Sequence, residues 1–185
     1  SILTSRSPEL HEKEAAAQGL RLKYELFDFT DRGWPESDLG VVMAKLVADG
    51  FSGFNVTYPF KQAVVPLLDV LDESALAVGA VNTVAVRNGV LIGYNTDMAG
   101  FRGAFLAKLP TAATGRIVQL GAGGAGAAVA CALLSVGVGR LDLIDVDEAR
   151  SSGLARELSN RFSGSDIRTG TPDSLDTSNA DGIVN

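Results

Sequence analysis

The stretch from Arg116 to Val146 constrains the fold more than any other part of the chain. An apolar run, RIVQL (116–120), leads directly into GAGGAG (121–126), then into an alanine- and leucine-rich segment, then into a second apolar run, LDLIDV (141–146). Short β-branched runs on either side of a helix-forming segment predict two parallel strands joined by a helical crossover, and such crossovers are right-handed. The pattern continues with a helix, EARSSGLARELSNRF (148–162), and strands DIRTG (166–170) and DGIVN (181–185). Strands that alternate with helices in this way predict a parallel sheet.

The residues before 110 have a different rhythm. Ser7 reads as an N-cap, with Pro8 at the first helical position, Glu9 in the first turn and Gly19 past the end. LKYELFDF (22–29) alternates as a strand does. In SDLGVVMAKLVADG (37–50), Leu39, Val42, Met43, Leu46 and Val47 fall on one helical face, and Gly50 closes it. GFNV (53–56) reads as a short strand that cannot run past Pro59, because proline has no N–H for a ladder. In VNTVAVRNGVLIGYNTD (81–97), Asn88-Gly89 between apolar runs predicts a hairpin. A helix, MAGFRGAFLAKL, follows to Leu109. PTAATG (110–115) has breakers and no apolar period, so it is read as the linker between an α/β domain over 1–109 and a second over 116–185. The chain begins without Met and stops inside a predicted strand, as a piece of a longer protein would.

Charge removes some classes of function. With 16 basic against 22 acidic residues the net charge is -6, which disfavours nucleic acid and anionic membrane surfaces as partners. The longest weakly polar stretch, 125–139, is too short and glycine-rich to span a bilayer, and no signal peptide is visible at the start. The single cysteine, Cys131, lies among alanines and leucines and reads as a packed thiol, with the cytoplasm as the expected compartment. No histidine or cysteine cluster has metal-ligand spacing, so no metal is expected. The lone His11 stands among Glu12, Lys13 and Glu14 and reads as solvent-facing or half-buried, while Trp34 sits in a loop.

Gly121, Gly123 and Gly126 satisfy G-x-G-x-x-G. In a chain with 21 glycines among 185 residues the spacing alone is weak, but here it follows a strand and opens a helix. The physical demands match each position: Gly121 for a tight turn, Gly123 for close approach of a pyrophosphate, Gly126 for close helix–strand packing. The helix N-terminus then offers unpaired N–H groups and a positive dipole to phosphate. The hexapeptide Gly121, Ala122, Gly123, Gly124, Ala125 and Gly126 is therefore the candidate dinucleotide cradle. Asp145 ends the next strand and Asp147 follows; carboxylates there accept hydrogen bonds from ribose hydroxyls and repel a 2′-phosphate, which favours NAD over NADP.

Four polar residues remain. Lys61 follows a strand end in NVTYPFK (55–61), with Thr57 in the same motif; Asp97 follows another in YNTD; Asn82 opens the hairpin between them. Taken singly they read as a surface lysine, a strand residue, a helix cap and a turn residue. Strand ends of open α/β sheets are where clefts form, and the conjunction points to a cleft.

SRSP, NVTYPFK, GAVNTV, GYNTD and GAGGAG, in this order and spacing, resemble the shikimate dehydrogenase family, over Ser5 to Asn185. The resemblance implies an N-terminal substrate domain, a C-terminal Rossmann-type domain, and reversible hydride transfer between a nicotinamide cofactor and a ring alcohol of shikimate or quinate. It implies Lys61 and Asp97 as the catalytic pair, and Ser5, Ser7, Thr57 and Asn82 as holders of the substrate's carboxylate and hydroxyls. Ser7 has N-capping as a competing role. Where NADP-dependent members carry Asn-Arg-Thr, this chain has Asp145, Val146 and Asp147, which is similar to the NAD-using quinate/shikimate branch. The family's His-Asn in the first helix is His11-Glu12 here. Family chains continue past Asn185, and a homodimer is compatible with the resemblance. A non-catalytic nucleotide sensor and a dehydrogenase of an amino-substituted substrate are the rival readings.

Overall fold

The computed structural model describes residues 2–185. The chain divides into two compact units, one running to Lys45 and the other from Leu46 to Asn185.

In the first unit α1 spans Ser7–Ala17 with a proline in its first turn. Ser7 is its first helical residue and not its cap, since Arg6 holds the cap position without a side-chain bond. Ser5 serves in part as the missing cap, because its Oγ accepts the Ser7 N–H at 3.2 Å. His11 stacks on Tyr24 with ring centroids 5.2 Å apart, and Glu12 accepts the Tyr24 amide at 2.8 Å. The expected strand over 22–29 has no ladder: the segment carries no regular secondary structure. Alternation specifies an extended backbone, but a strand also needs a partner, and the unit contains no other strand among its described residues. Asp28 organises the turn that follows by accepting the amides of Thr30 and Asp31. Trp34 packs edge-on to Phe29, as its loop setting suggests. A 3-10 turn at Glu36–Asp38 leads into α2, Leu39–Ala48. Its Leu39, Met43 and Leu46 are buried one turn apart, as the spacing predicts.

The second unit carries two sheets. β1 (Gly53–Asn55) ends before the cis Tyr58–Pro59 bond, and the short α3 (Phe60–Ala63) follows. β2 (Val70–Leu71) and α4 (Glu73–Val78) come next. β3 (Thr83–Arg87) and β4 (Val90–Tyr94) form the expected hairpin. Asn88 and Gly89 both have positive φ, 52° and 81°, the requirement of a two-residue turn matched to strand twist. The sheet order is β1-β3-β4-β2, with β2 alone parallel to its neighbour. α5 (Asp97–Lys108) leads onward.

The second sheet is built from β5 (Arg116–Leu120), α6 (Gly124–Ser135), β6 (Arg140–Ile144), α7 (Glu148–Arg161), β7 (Asp166–Gly170) and β8 (Gly182–Val184). Every pairing is parallel and the order is β7-β6-β5-β8. The chain winds outward from β5 through β7 and then returns to the other side of β5. That reversal opens a crevice at the carboxyl ends of β5 and β8, the place where such sheets bind ligands. Leu133, Leu141, Leu143 and Leu158 are fully buried in the core that this sheet forms with its helices, each contributing about 1.5–3 kcal/mol by leaving water. α6 is nearly all core, and Met98, Phe101 and Phe105 of α5 pack on that cluster. Thus α6, which starts at the glycine turn, and α5, which starts at Asp97, share one apolar seam. At the opposite edge Arg116 and Arg140 both pair with buried Asp142, fixing the amino ends of β5 and β6. No helix of the described residues is long and apolar enough to cross a membrane.

Candidate active site

α5 begins at Asp97, yet Asp97 does not cap it. Asn95, 1% exposed, does so through Oδ1, which accepts the N–H of Asp97 at 3.0 Å and of Met98 at 3.4 Å. Its Nδ2 donates to the Ala80 carbonyl at 2.9 Å, locking the cap to the segment before β3. The Asp97 carboxylate is thereby released for other partners. Lys61 Nζ donates to Asp97 Oδ2 at 2.6 Å, bridging 36 positions of sequence. Asn82 Nδ2 donates to Asp97 Oδ1 at 2.8 Å and to Thr96 Oγ1 at 2.9 Å, while Asn82 Oδ1 accepts from Thr96 N and Thr83 Oγ1. The orientation of the Asn82 amide is therefore dictated by its neighbours at both ends. The Lys61 side chain is 17% exposed and that of Asp97 35%, so the pair is sheltered but reachable. Lys61 is held on α3, and its own carbonyl accepts the Val81 amide at 2.8 Å.

The glycine turn lies beside it. A cleft of about 400 Å3 is lined by Thr57, Pro59 and Lys61 on one wall and by Gln119, Gly121, Gly123 to Gly126 and Val184 on the other. Gly121 has φ +96°, and a Cβ on Gly126 would stand 2.2 Å from the Gly121 carbonyl oxygen, so neither position admits a side chain. Gly123 has open space around it and caps α6 without any side-chain bond, which leaves the first amides of that helix for a ligand. These are the features a pyrophosphate requires, and the residues present fit a dinucleotide.

Gln119 is a site residue that sequence reasoning misses. It is 1% exposed, and its Nε2 donates to the carbonyls of Gly121 at 2.9 Å and Gly126 at 2.8 Å, stapling the turn from beneath. Its Oε1 has no partner among the described residues. An amide two residues before a glycine motif in an otherwise apolar strand is the signal that could have found it.

Asp145 and Asp147 stand where the second strand ends, with added structural duties. Asp145 is 9% exposed; its Oδ2 accepts the Ala122 amide at 2.7 Å and its Oδ1 the Asp147 amide at 2.9 Å, which ties the end of β6 to the glycine turn. Asp147 caps α7 through the Ala149 amide, and Arg150 lies 3.4 Å from it. Ser5 and Ser7 belong to the first unit. Burial pushes the Tyr24 phenol there up, and the Ser7 side chain opposes the shift. The structure thus brings together Lys61, Asp97 and Asn82 by direct bonds, with Thr57, Gly121 and Gly123 to Gly126 around the same cleft. Ala122 packs into the core cluster beneath them.

Fold and site define a Rossmann-type α/β protein with an ammonium–carboxylate pair at the mouth of its glycine turn. Residues 1–84 match the family described as shikimate dehydrogenase substrate binding domain. A "Shikimate dehydrogenase (NADP(+))" of Streptomyces avermitilis is 46% identical over 183 residues, covering 97% of this chain and 62% of that one. A "Quinate/shikimate dehydrogenase (NAD(+))" of Corynebacterium glutamicum is 41% identical, covering 98% and 65%. Among solved structures, "Quinate dehydrogenase from Corynebacterium glutamicum in complex with NAD" superposes with a TM-score of 0.87 at 36% identity, covering 99% of this chain and 66% of the other. Residues 1–84 thus match the substrate-binding domain of the shikimate dehydrogenase family, and the chain is similar to shikimate and quinate/shikimate dehydrogenases over nearly its whole length. It spans between 62% and 66% of the length of these three relatives.

Proposed function

We propose that the protein of which this chain forms part is a shikimate or quinate dehydrogenase that prefers NAD. The observation that carries the reading is the 2.6 Å contact of Lys61 with Asp97, Lys61 itself lining the cleft that the glycine turn borders. A structural ion pair alone has no reason to border a dinucleotide cradle. A nucleotide sensor has no use for a proton relay.

Gly121 to Gly126 would hold the pyrophosphate, with Asp145 and Asp147 toward the adenosine ribose. A nicotinamide cofactor held there would supply the hydride acceptor. The chain's residues manage everything else. Lys61 takes the proton leaving the secondary hydroxyl, so that the carbon–oxygen bond becomes a ketone without a free alkoxide. In the reverse direction the Lys61 ammonium returns that proton. Asp97 orients the amine through Oδ2, and Asn82 fixes the carboxylate's other oxygen. Ser5, Ser7 and Thr57 supply hydroxyl donors for the substrate's carboxylate and hydroxyls. Such positioning converts an encounter into an oriented, nearly unimolecular step.

The lean to NAD rests on the carboxylates at 145 and 147, whose charge opposes a 2′-phosphate; relatives named for NADP and for NAD both exist. A buried single thiol with no disulfide partner supports the cytoplasm as its compartment. The deciding measurement is nicotinamide reduction by the full-length protein with shikimate or quinate, each with NAD or NADP. Turnover is expected, faster with NAD. Intact NAD binding without reduction in any of the four combinations would favour the sensor.

A further inference from the structure

Three of the four glycines in GAGGAG must be glycine for the nucleotide turn. Gly124 lends the turn only a backbone N–H, which any residue but proline supplies. Its φ lies outside the left-handed region, so the backbone permits any residue there, and as the first residue of α6 it stands where helix propensity prefers alanine. What crowds a side chain there is Lys61, which would have to give by a few tenths of an ångström. A Cβ on Gly124 would stand 3.0 Å from Lys61 Cβ and 3.5 Å from Lys61 Cδ, with Ala80 Cβ also at 3.5 Å. The next glycine back, Gly123, would meet nothing within 4 Å.

Neither neighbour yields freely. Lys61 Cβ is fixed to the α3 backbone, whose carbonyl at 61 receives the Val81 amide. Ala80 is fully buried, and its carbonyl receives Asn95 Nδ2, the amide that caps the helix of Asp97. Pressure at 124 therefore reaches the amine directly and the carboxylate through its cap.

We propose that Gly124 is a positioning residue: the stem of Lys61 rests on the first turn of α6 in the space a side chain would fill, and this contact sets the amine's place relative to the nucleotide turn. Proton relay and hydride acceptor are then held in register by one side-chain-to-backbone contact. The proposal rests on the dehydrogenase reading above and adds a residue to it.

The test compares Gly124→Ala with Gly123→Ala in the full-length protein. Gly124→Ala is expected to lower kcat with shikimate or quinate about tenfold or more, while the dissociation constant for NAD, read by titration calorimetry, stays within about threefold. Gly123→Ala is expected to weaken NAD about tenfold or more. Added to Lys61→Ala, Gly124→Ala is expected to remove little further turnover, because the group it positions is gone. Normal kcat in Gly124→Ala, a loss of NAD affinity matching that of Gly123→Ala, or fully additive losses would each overturn the proposal. If Gly124→Ala fails to fold, Lys61→Gly/Gly124→Ala is expected to restore folding, and its failure to do so would show that Lys61 is not the obstruction. A wild-type protein without turnover overturns the activity as well, whereas an active wild type with an unimpaired Gly124→Ala overturns this inference alone.

Discussion

Asn95 accepts the amide N–H of Asp97 at 3.0 Å, so the helix that carries the Asp97 carboxylate is capped by another side chain. The division of labour matters because Asp97, the first residue of α5 and one past the Thr96 cap position, lies beside the helix's unpaired amides, which compete with Lys61 for its carboxylate. Removing Asn95 forces that competition. Asn95→Ala deletes the cap, worth about 1 kcal/mol and up to about 2, and strands the Ala80 carbonyl. Chemical denaturation is expected to show a loss of about 2 kcal/mol, and turnover is expected to fall as well. A stability loss with unchanged kcat would mean that Asp97 keeps its place without the cap.

Lys61→Ala removes the proposed proton relay and leaves Asp97 with Asn82 as a partner. General acid–base groups contribute about 100-fold to 10,000-fold, so kcat is expected to fall by at least the lower figure. NAD affinity is expected to change much less, since the cradle is built from backbone. Steady-state kinetics with a parallel NAD titration separates the two quantities; near-normal kcat would remove Lys61 from the mechanism.

Much of this arrangement is readable from residues because it depends on local rules. The Asn88-Gly89 hairpin and the strand–glycine–helix unit each follow from backbone geometry that few sequences satisfy. What escapes depends on partners. LKYELFDF alternates like a strand, yet a strand is a pairing and alternation names no partner. Ser7 has the right chemistry for a cap but sits one residue inside the helix, and Ser5 supplies the acceptor. The six-residue α4 is too short to show periodicity, despite its signals, Asp72 as cap and Gly79 at φ 71°. The position of Asp145 suggests a ribose partner. Its two bonds to the amides of Ala122 and Asp147 become visible only when the glycine turn and the β6 end stand side by side.

Cofactor choice can be tested without disturbing that scaffold. Asp147→Asn keeps a capping side chain for α7, since asparagine caps as well as aspartate, and removes one negative charge. It also frees Arg150 from its carboxylate partner. The ratio of kcat/KM for NAD over NADP is expected to fall by about threefold to tenfold, with stability within about 0.5 kcal/mol of wild type. An unchanged ratio would place the discrimination at Asp145 or elsewhere.

Gln119 is expected to matter through the turn it staples. Gln119→Leu has similar bulk but cannot donate to the carbonyls of Gly121 and Gly126, leaving two buried acceptors without their donor. A loss of about 1–3 kcal/mol is expected, moderated because the substitution also removes the partnerless Oε1. NAD affinity is expected to fall with it, as the turn loses its preset shape. Equal NAD affinity in the two proteins would show that the glycines hold the turn without the staple.

Burial pushes the Cys131 thiol above its ordinary value of 9.0, outweighing the opposing effect of Arg161. The folded protein therefore keeps the proton at pH values where the unfolded chain begins to release it. Below about 9 both states are protonated and the thiol adds no pH dependence; as pH rises past that value the unfolded state gains from ionisation and stability falls. Cys131→Ala is expected to be less stable than wild type near about pH 8, because a buried atom is lost, and the gap is expected to narrow by about pH 10. Urea midpoints for both proteins at the two pH values provide the check. A gap that stays constant or widens would mean that the thiol ionises as readily in the folded protein as in the unfolded chain.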